Sequence, residues 1–385
     1  MPLESHRLSS ADIDGGASED SDAAAPEDRL TFPGLLPVHH LQRVLQRASE
    51  AAPEKARGRF LVLTHRGPDP DALGACEGLR SLLRDGFGFE PVVATLGRIH
   101  RAENLALVRA LDLSLADYEG IDPTDFAGAT LVDTQPQFGH TVLPENCPVL
   151  AVFDHHVPPV GDAIEVPHHD VRLNLGATAS MIYEYLRDAR VDYDEKTATA
   201  LFCGVRYDTA DLSRNSSPLD EEAYYECFRR GDRNMIADIA HPPLPQGYYR
   251  DLHRALKLAR RHGALVIAFL GKVDNPESVA EMADFFLRMK GCSWVVAGGA
   301  YEEGYVLSLR TDYAFGKAYP LMSRVLGEEG SFGGHGHIAG GRIQLEDDLE
   351  STVQAVERRL RQNALNVIGV DDEDGIPPEG RLLTE

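Results

Sequence analysis

No apolar run in this sequence approaches the roughly 18 residues that a membrane span requires. No apolar segment follows the first basic residue, as a secretory signal would demand. A cytoplasmic location is therefore expected. Cysteine is scarce: Cys76, Cys147, Cys203, Cys227 and Cys292 are five in number, widely spaced and without a C-x-x-C pair. This excludes a disulfide framework and suits buried thiols in a reducing compartment. Positive charge is short as well, with 38 Lys and Arg against 61 Asp and Glu, and only six of the 38 are lysine. Part of the imbalance lies at the ends, since residues 1–36 carry eight acids against two bases and residues 371–385 six against one. Both ends read as disordered acidic tails. The rest is still too acidic to neutralise many phosphates of a long duplex, so no long duplex nucleic acid is expected as partner.

What remains is long enough for two folded units. Strands are expected at about 59–64, 91–95, 129–133 and 148–153, with helices from about 73 and at about 102–111 between them. Such alternation predicts a parallel α/β sheet. Helical periodicity continues through about 176–188, 194–207 and 219–230. The proline-bearing stretch His241-Pro242-Pro243-Leu244-Pro245 marks a boundary, followed by a connecting helix at about 248–261. The pattern then restarts as a second α/β unit, with strands at about 264–270, 292–298 and 304–310 and helices at about 276–287 and 316–327. The expected division is a tail over 1–36, a catalytic domain over 37–235, a linker with connecting helix over 236–262, a smaller domain over 263–365 flanking a cleft, and a tail over 366–385.

The chemistry gathers at the ends of the apolar runs. His65, Asp69 and Asp71 follow the first expected strand, Asp133 the third, Asp154-His155-His156 the fourth, and Asp208 ends a later helical run. Ligands in open parallel sheets collect beyond the carboxyl ends of strands, so these groups can meet. Gly74 is taken to open a helix after Asp71, leaving backbone N–H groups for an anion. Mixed carboxylates and imidazoles suit a pair of divalent cations, with Mn²⁺ the first choice. Such a pair activates a hydroxide and neutralises phosphoryl oxygens, which is the chemistry of phosphate ester hydrolysis. In the second unit, Gly333-Gly334-His335-Gly336-His337-Ile338-Ala339-Gly340-Gly341 has the glycine density that lets backbone approach a ligand closely.

These segments resemble the DHH phosphoesterase superfamily. His65, Asp69-Pro70-Asp71 and Gly74 match its first motif, Asp154-His155-His156 its name-giving triplet, and residues 333–341 the signature of the DHH-associated C-terminal domain of nano-RNases and RecJ-type exonucleases. The resemblance implies that His65, Asp69 and Asp133 hold one metal. It implies that Asp71, Asp133, His155 and Asp208 hold the other, with Asp133 bridging. By the same resemblance Asp154 orients an imidazole, His156 faces the scissile phosphate, and Arg310 with His335 binds the substrate's terminal phosphate. His335 is ranked ahead of His337 by the motif alone, since either ring could point at the substrate.

The expected activity is manganese-dependent hydrolysis of short oligoribonucleotides, or of small nucleotides such as 3′-phosphoadenosine 5′-phosphate, by in-line attack of a metal-bridging hydroxide. No length remains for the OB-fold module of RecJ-type exonucleases. A single-strand exonuclease, a cyclic-dinucleotide-linked phosphodiesterase and a nucleotide-binding regulatory protein are the alternatives, and a homodimer is expected from the family likeness. Other conspicuous residues are read more plainly. His168-His169-Asp170 is taken as a loop, Glu357-Arg358-Arg359 as a solvated helix face, and Arg214 and the segment Gly97 to Arg101 as equally suited to a phosphate or to solvent. His39-His40 has no evident partner.

Overall fold

The structure is a computed structural model that describes residues 35–139, 141–157, 164–312, 315–327, 330–346, 349–368 and 380–383. The side chain of His335 also lies outside the described residues, as do the expected tails apart from residues 35–36, 366–368 and 380–383. The chain is an α/β protein with a six-stranded parallel sheet followed by a seven-stranded mixed sheet.

The first unit opens with α1 (Pro37–Ala51), whose Val38, Leu41 and Leu45 lie fully buried. It is followed by β1 (Arg59–Thr64), α2 (Pro70–Ser81), β2 (Glu90–Thr95), α3 (Ala102–Ala110), β3 (Ala116–Asp117), β4 (Gly128–Val132), β5 (Val149–Asp154) and β6 (His168–Val171). Then come α4 (Thr178–Asp188), α5 (Glu195–Asp208), α6 (Pro218–Arg230) and α7 (Arg233–Ala240). The strands lie in the order β3-β2-β1-β4-β5-β6, all parallel. Strand order reverses between β1 and β4, the crevice where open α/β sheets place their ligands. Buried on both faces, β1, β4 and β5 are continuous apolar runs, which is why the sequence pattern marks them well.

Three local readings change. First, α2 begins at Pro70, not near 73. Asp69 is its N-cap, accepting hydrogen bonds from the N–H of Asp71 and Ala72 at 3.0 Å each. Those N–H groups are therefore taken, and Gly74 lies inside the helix. There it allows α2 to touch α5, since a Cβ at Gly74 would meet the carbonyl of Ala200. Second, His168-His169-Asp170 forms the edge strand β6. A buried polar network holds it, in which His168 Nε2 meets the Tyr185 hydroxyl at 2.8 Å and that hydroxyl donates to Asp170 at 2.7 Å. His40 supplies the other end of this network, its Nδ1 2.9 Å from that of His168. Third, Glu357 turns inward, accepting from Tyr305 and from the N–H of Gly271.

The second unit contains α8 (Gln246–Leu258), β7 (Arg260–His262), β8 (Leu265–Lys272), α9 (Glu277–Leu287), β9 (Trp294–Tyr301), β10 (Gly304–Thr311), α10 (Ala318–Leu326), β11 (Ser331–His335), β12 (Ile338–Gln344), α11 (Glu350–Ile368) and β13 (Arg381–Leu382). Sheet order is β11-β12-β10-β9-β8-β7-β13, with β8 and β9 parallel and the other pairs antiparallel. Residues expected in the linker thus supply α8 and the edge strand β7, and residues at the start of the expected last tail extend α11. The glycine-histidine segment is the β11–β12 hairpin. Among the described residues, no helix is long and apolar enough to cross a membrane.

Candidate metal centre

The ends of β1, β4 and β5 and the facing ends of α2 and α5 bring seven acids and imidazoles together. Three overlapping sets have mutually close ligand atoms: His65, Asp69 and Asp133; Asp71, His155 and Asp208; and Asp133, His155 and His156. Asp133 belongs to two of them. Its Oδ2 lies 3.6 Å from His65 Nε2 and its Oδ1 3.7 Å from His155 Nε2, so the two oxygens face different imidazoles. His155 Nε2 is also 3.2 Å from Asp208 and 3.8 Å from Asp71.

Each side chain is fixed by its neighbours. Asp133 follows β4 directly and has φ of 57°, a left-handed conformation that few residues other than glycine adopt, with Asn and Asp the most frequent exceptions. Its N–H donates to Phe153 O at 2.8 Å, and Thr178 Oγ1 donates to its Oδ1 at 2.9 Å. Asp71, fully buried, accepts the N–H of Thr178 at 2.7 Å and of Ala179 at 2.8 Å, one on each carboxylate oxygen. The N-terminus of α4 thus holds one ligand by backbone and another by a hydroxyl. Asp154 accepts from the N–H of His155, from His156 Nδ1 at 2.8 Å and from Gln135 Nε2 at 2.7 Å. Gln135 also donates to His156 O. Arg214 donates twice to the carbonyl of Asp208, which identifies it as a brace for that residue.

The electrostatics call for a cation. Burial, then the charges of Asp208 and Asp133, push Asp69 up to about 6. Burial and the same two kinds of neighbour, Asp133 foremost, hold Asp71 well above the usual carboxylate range. Burial alone would raise Asp133, but the three imidazoles of His65, His156 and His155 hold it below that range. Burial would likewise lower His65, yet Asp133 and Asp69 hold it up to about 9. His155 Nε2 is buried and makes no hydrogen bond among the described residues. An orphaned imidazole nitrogen beside crowded carboxylates is a donor set fitted to divalent metal, and hydrogen-bonded supports of the kind seen here are what metal ligands require.

In the second unit Arg310 is almost fully buried and donates from Nε to Asp284 Oδ1 at 2.6 Å and from Nη1 to Ser308 Oγ at 2.7 Å. Asp284 also lies 3.8 Å from Arg101 Nη2, so an acid of α9 stands between arginines of the two units. His337 Nδ1 sits 3.1 Å from both Thr311 Oγ1 and Gly316 O, in the turn of its hairpin. The sequence reading missed Thr178, Gln135 and Asp284. Gln135 had one visible signal, a polar residue two places beyond a ligand at the end of a buried strand.

Residues 262–362 match the DHHA1 domain family. The chain is 29% identical over 332 residues to an uncharacterized protein of Methanocaldococcus jannaschii, covering 84% of this chain and 67% of that protein. Its fold is similar to that of an exopolyphosphatase-related protein from Bacteroides fragilis, with TM-score 0.66, 15% identity, and 88% of this chain and 100% of that one covered.

Proposed function

We propose that the chain, whose residues 262–362 match the DHHA1 domain family, is a phosphoesterase of the DHH superfamily that hydrolyses short oligoribonucleotides or small nucleotides such as 3′-phosphoadenosine 5′-phosphate. The observation that carries this reading is the sharing of Asp133 between two ligand sets, one with His65 and Asp69, the other with His155 and His156. His65, Asp69 and Asp133 would hold one divalent cation, and Asp71, Asp133, His155 and Asp208 the other, with manganese best matched to mixed carboxylate and imidazole donors. Such a pair supplies Lewis acidity and a hydrolytic nucleophile at neutral pH.

The chain's own groups do the rest. Asp154 accepts from His156 Nδ1, so that nitrogen carries the proton and the ring is oriented, with Gln135 pinning both residues. His156 is more exposed than His65 or His155, which suits a ring that meets the substrate phosphate. Arg310 of the second unit, a guanidinium fork, is placed in this reading on the terminal phosphate together with His335.

The test is product analysis with Mn²⁺ on an RNA dinucleotide, a long single-stranded RNA, 3′-phosphoadenosine 5′-phosphate, a linear diadenylate, pyrophosphate and polyphosphate, with Asp133→Asn as blank. Cleavage confined to the dinucleotides and small nucleotides is the expected result. Degradation of the long strand alone would replace this reading with a single-strand exonuclease.

A further inference from the structure

Four of the candidate ligands hang from two short connections. Between β6 and α4, the stretch Leu175 to Ala179 touches three of them: Leu175 O accepts from His155 Nδ1 at 3.3 Å, Thr178 Oγ1 donates to Asp133, and the N–H groups of Thr178 and Ala179 donate to Asp71. A carbonyl can only accept, so His155 Nδ1 carries a proton and Nε2 is the ring atom left for a ligand. Between α5 and α6, the turn that follows Asp208 is left-handed at Ala210, Asp211, Leu212 and Asn215, a conformation that side chains disfavour. Such a turn needs fastening. The two connections meet at Asp220, fully buried in the first turn of α6, where it forms a capping box with Ser217. Its Oδ2 accepts from Ser217 N at 2.7 Å and from Ser217 Oγ at 2.6 Å, and in addition from Gly176 N at 2.8 Å. The last bond is one that a helix cap does not require. Gly176 lies at a point of close approach, since a Cβ there would meet Thr209 Cγ2 at 2.6 Å and the carbonyl of Asn215 at 2.9 Å, both in the turn after Asp208.

We propose that Asp220 is a positioning residue for one cation of the pair and not for the other: it clamps the two connections together and so sets the mutual placement of Asp71, Asp133, His155 and Asp208. The inference rests on the two-metal reading and adds to it a residue that touches no ligand directly. The other set is held by different means. Asp69 caps α2, and Asn104 Nδ2 donates to Pro68 O, between His65 and Asp69, at 2.9 Å. Asp133 belongs to both sets, but its N–H is fixed separately by Phe153 O. Loss of a group that orients metal ligands weakens metal binding by about 10–100-fold, and only at the site whose ligands it orients. A residue that merely capped α6 would stabilise that helix and leave both sites alike. Asp220 reaches past its own helix, and its Oδ1, buried without a hydrogen bond among the described residues, leaves Oδ2 to carry every bond described for the carboxylate.

The experiment measures Mn²⁺ binding by calorimetry in two backgrounds of the full chain. His65→Ala leaves the set that contains Asp208, and Asp208→Asn leaves the set that contains His65. Asp220→Ala is expected to raise Kd by about tenfold to a hundredfold in the first background and by less than about twofold in the second. Asp220→Asn keeps an acceptor oxygen in the same place and is expected to return most of the affinity. Gly176→Ala forces the two connections apart and leaves the Ser217 cap in place. It is expected to copy the selective loss, and it serves where Asp220→Ala fails to fold. Equal loss in both backgrounds, or no change in either, overturns the role of Asp220 and leaves the two-metal reading standing. Absence of Mn²⁺ binding in the unsubstituted protein overturns both.

Discussion

The two units assemble their conspicuous polar groups by different physical means. In the first, a parallel sheet delivers charged side chains to one crevice, and each ligand is braced by a strand end, a helix N-terminus or a neighbouring side chain. In the second, a glycine hairpin and one buried arginine present backbone and a single fork. The first is a site made of residue identity and the second of backbone access. Chemistry that must gather several like charges needs the rigid half, whereas holding a substrate's far end needs only shape and one cation.

Removing the shared ligand should break the contrast most sharply. Asp133→Asn is expected to lower turnover about a thousandfold, several kcal/mol of lost transition-state stabilisation, while thermal unfolding of the protein is little changed. Normal turnover would take Asp133 out of the centre. In the second unit, Arg310→Ala should raise KM by about tenfold to a hundredfold and change kcat much less, because binding is lost and chemistry is not. Steady-state kinetics on a short phosphorylated substrate decides it, and a fall in kcat at constant KM would count against the division of labour. Gly74→Ala probes the packing beneath the metal ligands. A methyl group forced against Ala200 should destabilise the protein by about 1–3 kcal/mol in urea unfolding. The pH-dependent effect concerns the buried network under β6. Burial, with the charges of His40 and Arg172, outweighs Asp170 and keeps His168 neutral down to about 3, so the unfolded chain binds the extra proton between about 6.5 and 3. Stability should fall by up to about 1.4 kcal/mol per pH unit on acidification through that window, and His168→Gln should flatten the slope. An unchanged slope would show that the ring is not held neutral.

The first unit was the more legible in sequence for a physical reason. A strand buried on both faces must be apolar throughout, so the acid that ends it stands out, as Asp133 does after Thr130-Leu131-Val132. Asp208 was legible for the opposite reason, as the polar end of an apolar helix. What stayed hidden acts through backbone or through partners distant in the chain. The N–H groups of Thr178 and Ala179 that cradle Asp71 have no side-chain signature. Strand β6 read as a loop because its polar residues are satisfied by Tyr185 and Arg172, which no periodicity announces. Asp284 looked like one more acid on a helix until its two arginines were located.

The left-handed backbone at Asp133 bears on the history of the site. Holding a residue other than glycine in that conformation costs on the order of 1 kcal/mol, and glycine would relieve it. A lineage that had abandoned metal chemistry, keeping the fold only to bind nucleotides, would find glycine at this position an advantage at every generation. If the charge is in use, aspartate is what this position should keep, and Asp133→Gly should relax the backbone while removing the shared ligand.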